Sequence, residues 1–167
     1  MKHPIFTTLA LAALFAAGCQ TQKNKTTAVQ DNVPAGADTA KLQTRLYVPA
    51  QAISADSVML TFTVINHGSE PKRFCKWETP FEPRLGKYFD IQNAQGAEAP
   101  FKGAMARRIM PPPAEAYLTV AAHDSTTTTI NLARNYTLQA GAYTIKYVGG
   151  GVSGLEAGNV VKVNVGR

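Results

Sequence analysis

Few side chains in this chain are equipped for covalent or acid–base chemistry, and the first of them is Cys19. It follows Ala16-Ala17-Gly18 at the end of an apolar run, Ile5 to Ala17, that only Thr7 and Thr8 interrupt; Met1-Lys2-His3 supplies a short basic start. The run is too short to cross a bilayer as a helix and closes in small residues, which is the pattern of a secretory signal. A cysteine directly after those residues fits the bacterial lipobox, where the thiol is acylated and the preceding segment removed. Ala16 occupies the place where leucine is commonest. Gln20 stands where an inner-membrane retention signal usually puts aspartate, so the expected address is the outer membrane of a bacterial envelope.

The remaining candidates argue against an enzyme. His3 falls in the signal, while His67 and His123 sit in turn-like settings without zinc-ligand spacing. The sequence has no His-Glu-x-x-His, no Gly-x-Ser-x-Gly elbow and no glycine-rich phosphate loop. Glu78 and Glu82 are four apart, but in a proline-rich stretch they read as two solvated carboxylates. We therefore expect no catalytic residue, no metal and no cofactor. Once Cys19 is acylated, Cys75 has no partner, and its place beside Phe74 and near Trp77 predicts a buried, inert thiol.

Two irregular stretches carry side chains suited to recognition. Lys76-Trp77-Glu78-Thr79-Pro80-Phe81-Glu82 opens a proline-punctuated loop, and Arg107-Arg108 precedes Met110-Pro111-Pro112-Pro113 in a long connection over 102–116. Long loops of this kind carry function or are mobile. Trp and Arg are the types that most often dominate protein interfaces. Trp77 shares a face with Cys75 and is expected in the core, whereas Phe81, past Pro80, is expected outside it. Phe81, Glu82, Arg107 and Arg108 are the candidate partner-binding residues.

The rest of the chain is strand grammar. Leu42, Thr44, Leu46 and Val48 alternate with polar neighbours, and Val58, Leu60, Phe62 and Val64 share one face. Asn93-Ala94-Gln95-Gly96 is a hairpin loop between 88–92 and 97–101. Asn66-His67-Gly68-Ser69 reads as a turn after which Lys72 to Trp77 resumes extended structure. Strands follow near 118–120, 126–132, 143–147 and 161–165, and four threonines in a row at 126–129 favour strand over helix. About nine short strands without an amphipathic helix predict an all-β, immunoglobulin-like antiparallel β-sandwich. We divide the chain into a signal over 1–18, an acylated Cys19 with a polar tether over 19–40, and one sandwich domain over 41–167. The glycine-bearing 149–158 run reads as a flexible connection to the last strand. The net charge is +6, and +5 without Lys2, with no long run of like charges, so nucleic acid is not an expected partner. The lipid is the expected link to the membrane.

The Thr79-Pro80-Phe81-Glu82 stretch after Lys76-Trp77 resembles the N-terminal domain that precedes the catalytic domain of deuterolysin-type (aspzincin) metalloproteases, the group with the peptidyl-Lys metalloendopeptidases. Phe89-x-Ile91, Phe101-x-Gly103, Arg107-Arg108, Tyr117-Leu118-Thr119-Val120, and Asn131-Leu132 with Tyr136 ahead of Gly141-Ala142-Tyr143 come in the same order. The resemblance covers about 41–148. It implies a β-sandwich that packs on a protease and blocks its cleft, with Glu82 as a carboxylate able to approach the zinc. The catalytic half, with its His-Glu-x-x-His, does not occur in this sequence, so protease activity does not carry over. The expected function is thus a lipoprotein that binds, and in the stronger form inhibits, a metalloprotease of that type. The alternative is a structural or assembly module of the envelope with no protease partner.

The anchor is directly testable. Several acyl chains hold a protein to a bilayer stably, while a chain without them has no such hold. Cys19→Ala should leave the membrane pellet or be mislocalised on fractionation, and retention as firm as wild type would contradict lipidation.

Overall fold

The computed structural model describes residues 42–49, 53–83 and 85–166. Cys19, the signal and the tether lie outside the described residues. Within them the chain is all-β and antiparallel, with eight strands: β1 Leu42–Tyr47, β2 Met59–Asn66, β3 Lys72–Cys75, β4 Phe89–Asn93, β5 Tyr117–Val120, β6 Ser125–Asn131, β7 Gly141–Tyr147 and β8 Val161–Val165. They form sheets in the orders β1-β2-β6, β3-β5 and β4-β7-β8. Short 3-10 turns at Ala114–Ala116, Leu132–Arg134 and Gly151–Ser153 are the helical content.

Period-two alternation sets the layers. In β2, Leu60, Phe62 and Val64 are fully buried, and in β1 Thr44 and Leu46 are buried while Gln43, Arg45 and Tyr47 face solvent. Phe89 and Ile91 of β4, Ile145 and Tyr147 of β7, and Val163 and Val165 of β8 supply the opposing wall. The two three-stranded sheets meet where the Phe62 and Tyr147 rings lie edge-on, with centroids 4.9 Å apart. This is a sandwich-like arrangement. The outer face of β2 and β6 is instead polar, with Thr61 and Thr63 hydrogen-bonding Thr129 and Thr127 at 3.2 and 3.1 Å.

The β2–β6 ribbon does not stop at its end but turns a corner and continues as β3–β5. Asn66 makes the corner. Its buried amide nitrogen donates toward the Glu70, Val120 and Ala121 carbonyls at 2.8–3.1 Å, and its side-chain oxygen accepts from Gly68 N at 2.8 Å. Three carbonyls at the bend are thus satisfied by one side chain. The β4 hairpin closes as the sequence predicts, with Asn93 Oδ1 accepting from Gln95 N and Ala97 N and Gly96 at φ +78°.

Two expectations are corrected. The 97–101 stretch is not a continuous ninth strand: Ala99 N donates to Ile91 O at 2.8 Å and Pro100 O accepts from Thr137 N at 2.9 Å, but its pairing is limited to isolated bridges at Glu98 and Phe101, and Pro100 has no N–H to donate. The 149–158 run is not a loose connection. Ser153 and Leu155 are buried, Thr44 Oγ1 donates to Glu156 O at 2.7 Å, and Asn159 both accepts from Leu46 N and donates to Leu46 O at 2.8 and 3.0 Å. A side-chain amide thus caps the free edge of β1, a site otherwise open to pairing with another chain. Gly158 lies so close that a Cβ there would run into the Thr44 carbonyl.

Candidate docking surface

The candidate surface starts where β3 ends. Lys76 N donates to Ala116 O at 2.8 Å, prolonging the β3–β5 ladder by one bond. Beyond it, Trp77 joins Cys75 and Ala116 in a small buried cluster with Tyr117 and Val152 packed at its rim. Cys75 and Trp77 are therefore core residues, as alternation predicts. Burial pushes the Cys75 thiol above its ordinary range, which disfavours the reactive thiolate.

The next residues fold back sharply. Glu78 takes a left-handed conformation at φ +59°, which is uncommon for a non-glycine residue. Its carbonyl accepts from Tyr147 Oη and its carboxylate from Val152 N, both at 3.3 Å. The Tyr147 hydroxyl, pushed up to about 12 by burial, stays protonated and also meets Ser153 Oγ at 3.2 Å. Thr79 is buried and knits the turn: its hydroxyl donates to Lys76 O at 2.6 Å and accepts from Phe81 N at 3.2 Å, and its carbonyl accepts from Glu82 N at 3.0 Å. Glu78 and Glu82 consequently engage different partners, and Glu82 is a partly buried, paired carboxylate instead of the solvated one expected from the sequence.

The turn sends Phe81 inward. Its ring packs against Phe74 at 5.4 Å and Phe62 at 6.0 Å and is partly buried on the main core. The expectation that Phe81 lies outside the core is therefore corrected. The ladder has already ended at Lys76, and the Glu78 turn with the Thr79 hydrogen bonds brings the chain back onto the core.

Glu82 and Arg108 find each other. They form a partly buried ion pair, and the Arg108 guanidinium carbon lies 4.7 Å above the centre of the Trp77 ring. The two irregular stretches, 26 residues apart in sequence, are thereby joined through charge and stacking. A second tie lies upstream, where Gly86 N donates to Ala104 O at 2.7 Å and Leu85 bridges Ala104.

From the Ala104 tie, 105–110 runs through the Arg108 tie and on past it. Exposure alternates along it, with Met105, Arg107 and Ile109 out and Ala106 and Arg108 in, which is how an extended chain presents its side chains. Met105 is 72% exposed, Ile109 88% and Met110 62%, so this short stretch contributes three of the most exposed large apolar side chains among the described residues. The sequence contains no carboxylate from 99 to 114. Large apolar groups displayed together mark an interaction site more often than chance exposure.

Of the four predicted partner-binding residues, then, only Arg107 is fully presented to solvent. Phe81 is packed inward, and Glu82 and Arg108 satisfy each other. Sequence reasoning overlooked Met105, Ile109 and Met110. Their signal was present: apolar side chains flanking an arginine pair in a segment with no strand partner.

No protein-family model matches the chain, and no curated protein shows significant similarity to it.

The inward placement of Phe81 has a measurable cost. Trp77→Ala should destabilise by about 3–5 kcal/mol and Phe81→Ala by roughly 2–4 kcal/mol, the range for removing a buried or largely packed aromatic ring. Denaturant titration provides the comparison, and a Phe81→Ala loss below about 0.5 kcal/mol, usual for an exposed side chain, would contradict the packing described.

Proposed function

We propose that this chain is a lipid-anchored protein of the bacterial envelope, tethered to the outer membrane through Cys19. In this reading its immunoglobulin-like sandwich is a non-catalytic binding module. Its partner is a metalloprotease of the deuterolysin type, bound and inhibited sterically by the 105–110 segment entering the substrate cleft.

The observation that supports the reading is the exposed apolar segment fixed to the domain at Ala104 and at Arg108. A cleft that accepts polypeptide needs an extended chain, and a segment already extended avoids most of the ordering cost of binding. The Thr79-Pro80-Phe81-Glu82 resemblance supplies the class of protease. The roles differ from those the sequence suggests. Met105, Arg107 and Ile109 contact the partner. Phe81, Glu82 and Arg108 hold the segment, and Glu82 serves Arg108 in place of a partner's zinc. A handful of central residues normally carries most of an interface's energy.

The test is inhibition of a purified deuterolysin-type metalloprotease by the protein. Wild type should inhibit at micromolar concentration or below, and Ile109→Ser should weaken inhibition by about thirtyfold, the equivalent of a hot-spot loss near 2 kcal/mol. No inhibition by wild type, or undiminished inhibition by a variant with 105–110 replaced by Gly-Ser linker, would sink the reading.

A further inference from the structure

The peptide bond between Arg107 and Arg108 has a setting that the metalloprotease reading does not use. On its N-terminal side, Arg107 is exposed, makes no ion pair among the described residues, and stands between the exposed Met105 and Ile109. On its C-terminal side, Arg108 is held by the Glu82 carboxylate and the Trp77 ring. Upstream, Ala104 is fixed to Gly86 and Leu85. The bond is thus displayed like a substrate while the chain on both sides of it is anchored to the domain.

We propose that the 105–110 segment is a substrate-like inhibitory loop for serine endopeptidases with an acidic specificity pocket, and that Arg107 is the side chain that pocket receives. The inference goes beyond the metalloprotease reading and does not rest on it. An arginine is the residue type that a buried carboxylate in such a pocket selects, because its charge is matched and its planar fork can be held by two hydrogen bonds.

The anchoring decides the fate of the bound loop. The protease serine oxygen adds to the Arg107 carbonyl carbon, passing its proton to the protease histidine. As the Arg107–Arg108 C–N bond breaks, that proton moves to the Arg108 nitrogen. In an ordinary substrate the new amine then diffuses away and water takes its place. Here the Arg108 side chain stays clamped between Glu82 and Trp77, so the amine remains beside the ester at a high effective concentration. It attacks the ester carbonyl, the peptide bond re-forms, and the serine recovers its proton. The enzyme is left occupied, with little net hydrolysis.

The Trp77–Glu82–Arg108 brace is therefore the feature that separates an inhibitor from a substrate. Without it the same arginine pair would be a cleavage site, since exposed loop tips are where proteases nick folded chains.

The experiment uses the full chain in detergent micelles with trypsin as the probe. Wild type should inhibit hydrolysis of a small arginyl substrate, with cleavage inside the domain slow and confined to Arg107–Arg108. Arg107→Lys should retain inhibition, and Arg107→Ala should weaken it by about thirtyfold or more, as for a hot-spot residue. Glu82→Ala, checked for retained β-sheet by circular dichroism, should convert the protein into a substrate cut at the same bond at least about tenfold faster, with inhibition lost. Because Arg107 is exposed, its variants test the proposal even if Glu82→Ala fails to fold. Rapid cleavage of wild type without inhibition, no interaction with trypsin, or full inhibition by Arg107→Ala would each overturn the proposal. A protein that inhibits trypsin but not a deuterolysin-type enzyme would uphold this inference and remove the earlier one, and the reverse result would do the opposite.

Discussion

A guanidinium drawn partly out of water must be matched by an anion, and Arg108 meets this constraint by reaching across to Glu82 while resting on Trp77. Exposed ion pairs contribute little, because solvent screens them and their side chains lose entropy on pairing. This pair differs in being partly buried and in stacking one partner on an indole, and both features raise its value. Its consequence is geometric as much as energetic. Neither irregular stretch has a strand ladder to hold it, so the contact between them fixes where 105–110 runs.

That contact depends in turn on the fold placing Trp77 correctly. The corner at Asn66 diverts the β2–β6 ribbon into β3–β5, and Trp77 comes two residues after β3. The Thr79 turn then drives Phe81 into the core against Phe62 and Phe74, which leaves Glu82 at the surface end of the turn. The 151–155 segment closes the other side, with Val152 on the Trp77 cluster and Ser153 on Tyr147. Gly151 suits this place because its φ of +57° is one that side-chain-bearing residues rarely adopt, and a Cβ there would also make the Glu78 carboxylate shift. The display of a few side chains thus rests on core packing from both sheets.

Much of this architecture was legible from alternation. Leu60, Phe62 and Val64 share a face in the sequence and are fully buried in the fold, and Asn93-Ala94-Gln95-Gly96 closes a hairpin through the expected side chain and glycine. Local patterns carry such information because they depend on neighbours a few residues away. The illegible part is long-range. Nothing in the spacing of Glu82 and Arg108 announces a pair across 26 residues. Phe81 was misplaced because a proline past a strand's end does not tell where the chain goes afterward. Asn159 on Leu46 and Gly158 on Thr44 likewise join residues more than 100 apart, so a glycine-rich run that looked loose is pinned to an edge strand.

The candidate surface is a division of labour: side chains pointing in hold the segment, and those pointing out are free to recognise. This holds only if the segment keeps one conformation in solution. Backbone 15N relaxation at Ala106 to Ile109 measures this directly. Order parameters near 0.85, as in rigid backbone, are predicted for wild type, with a fall toward about 0.6 in Glu82→Ala. Wild-type values already below about 0.6, or values unchanged by the substitution, would contradict the claim that the Glu82–Arg108–Trp77 contact holds the segment in place.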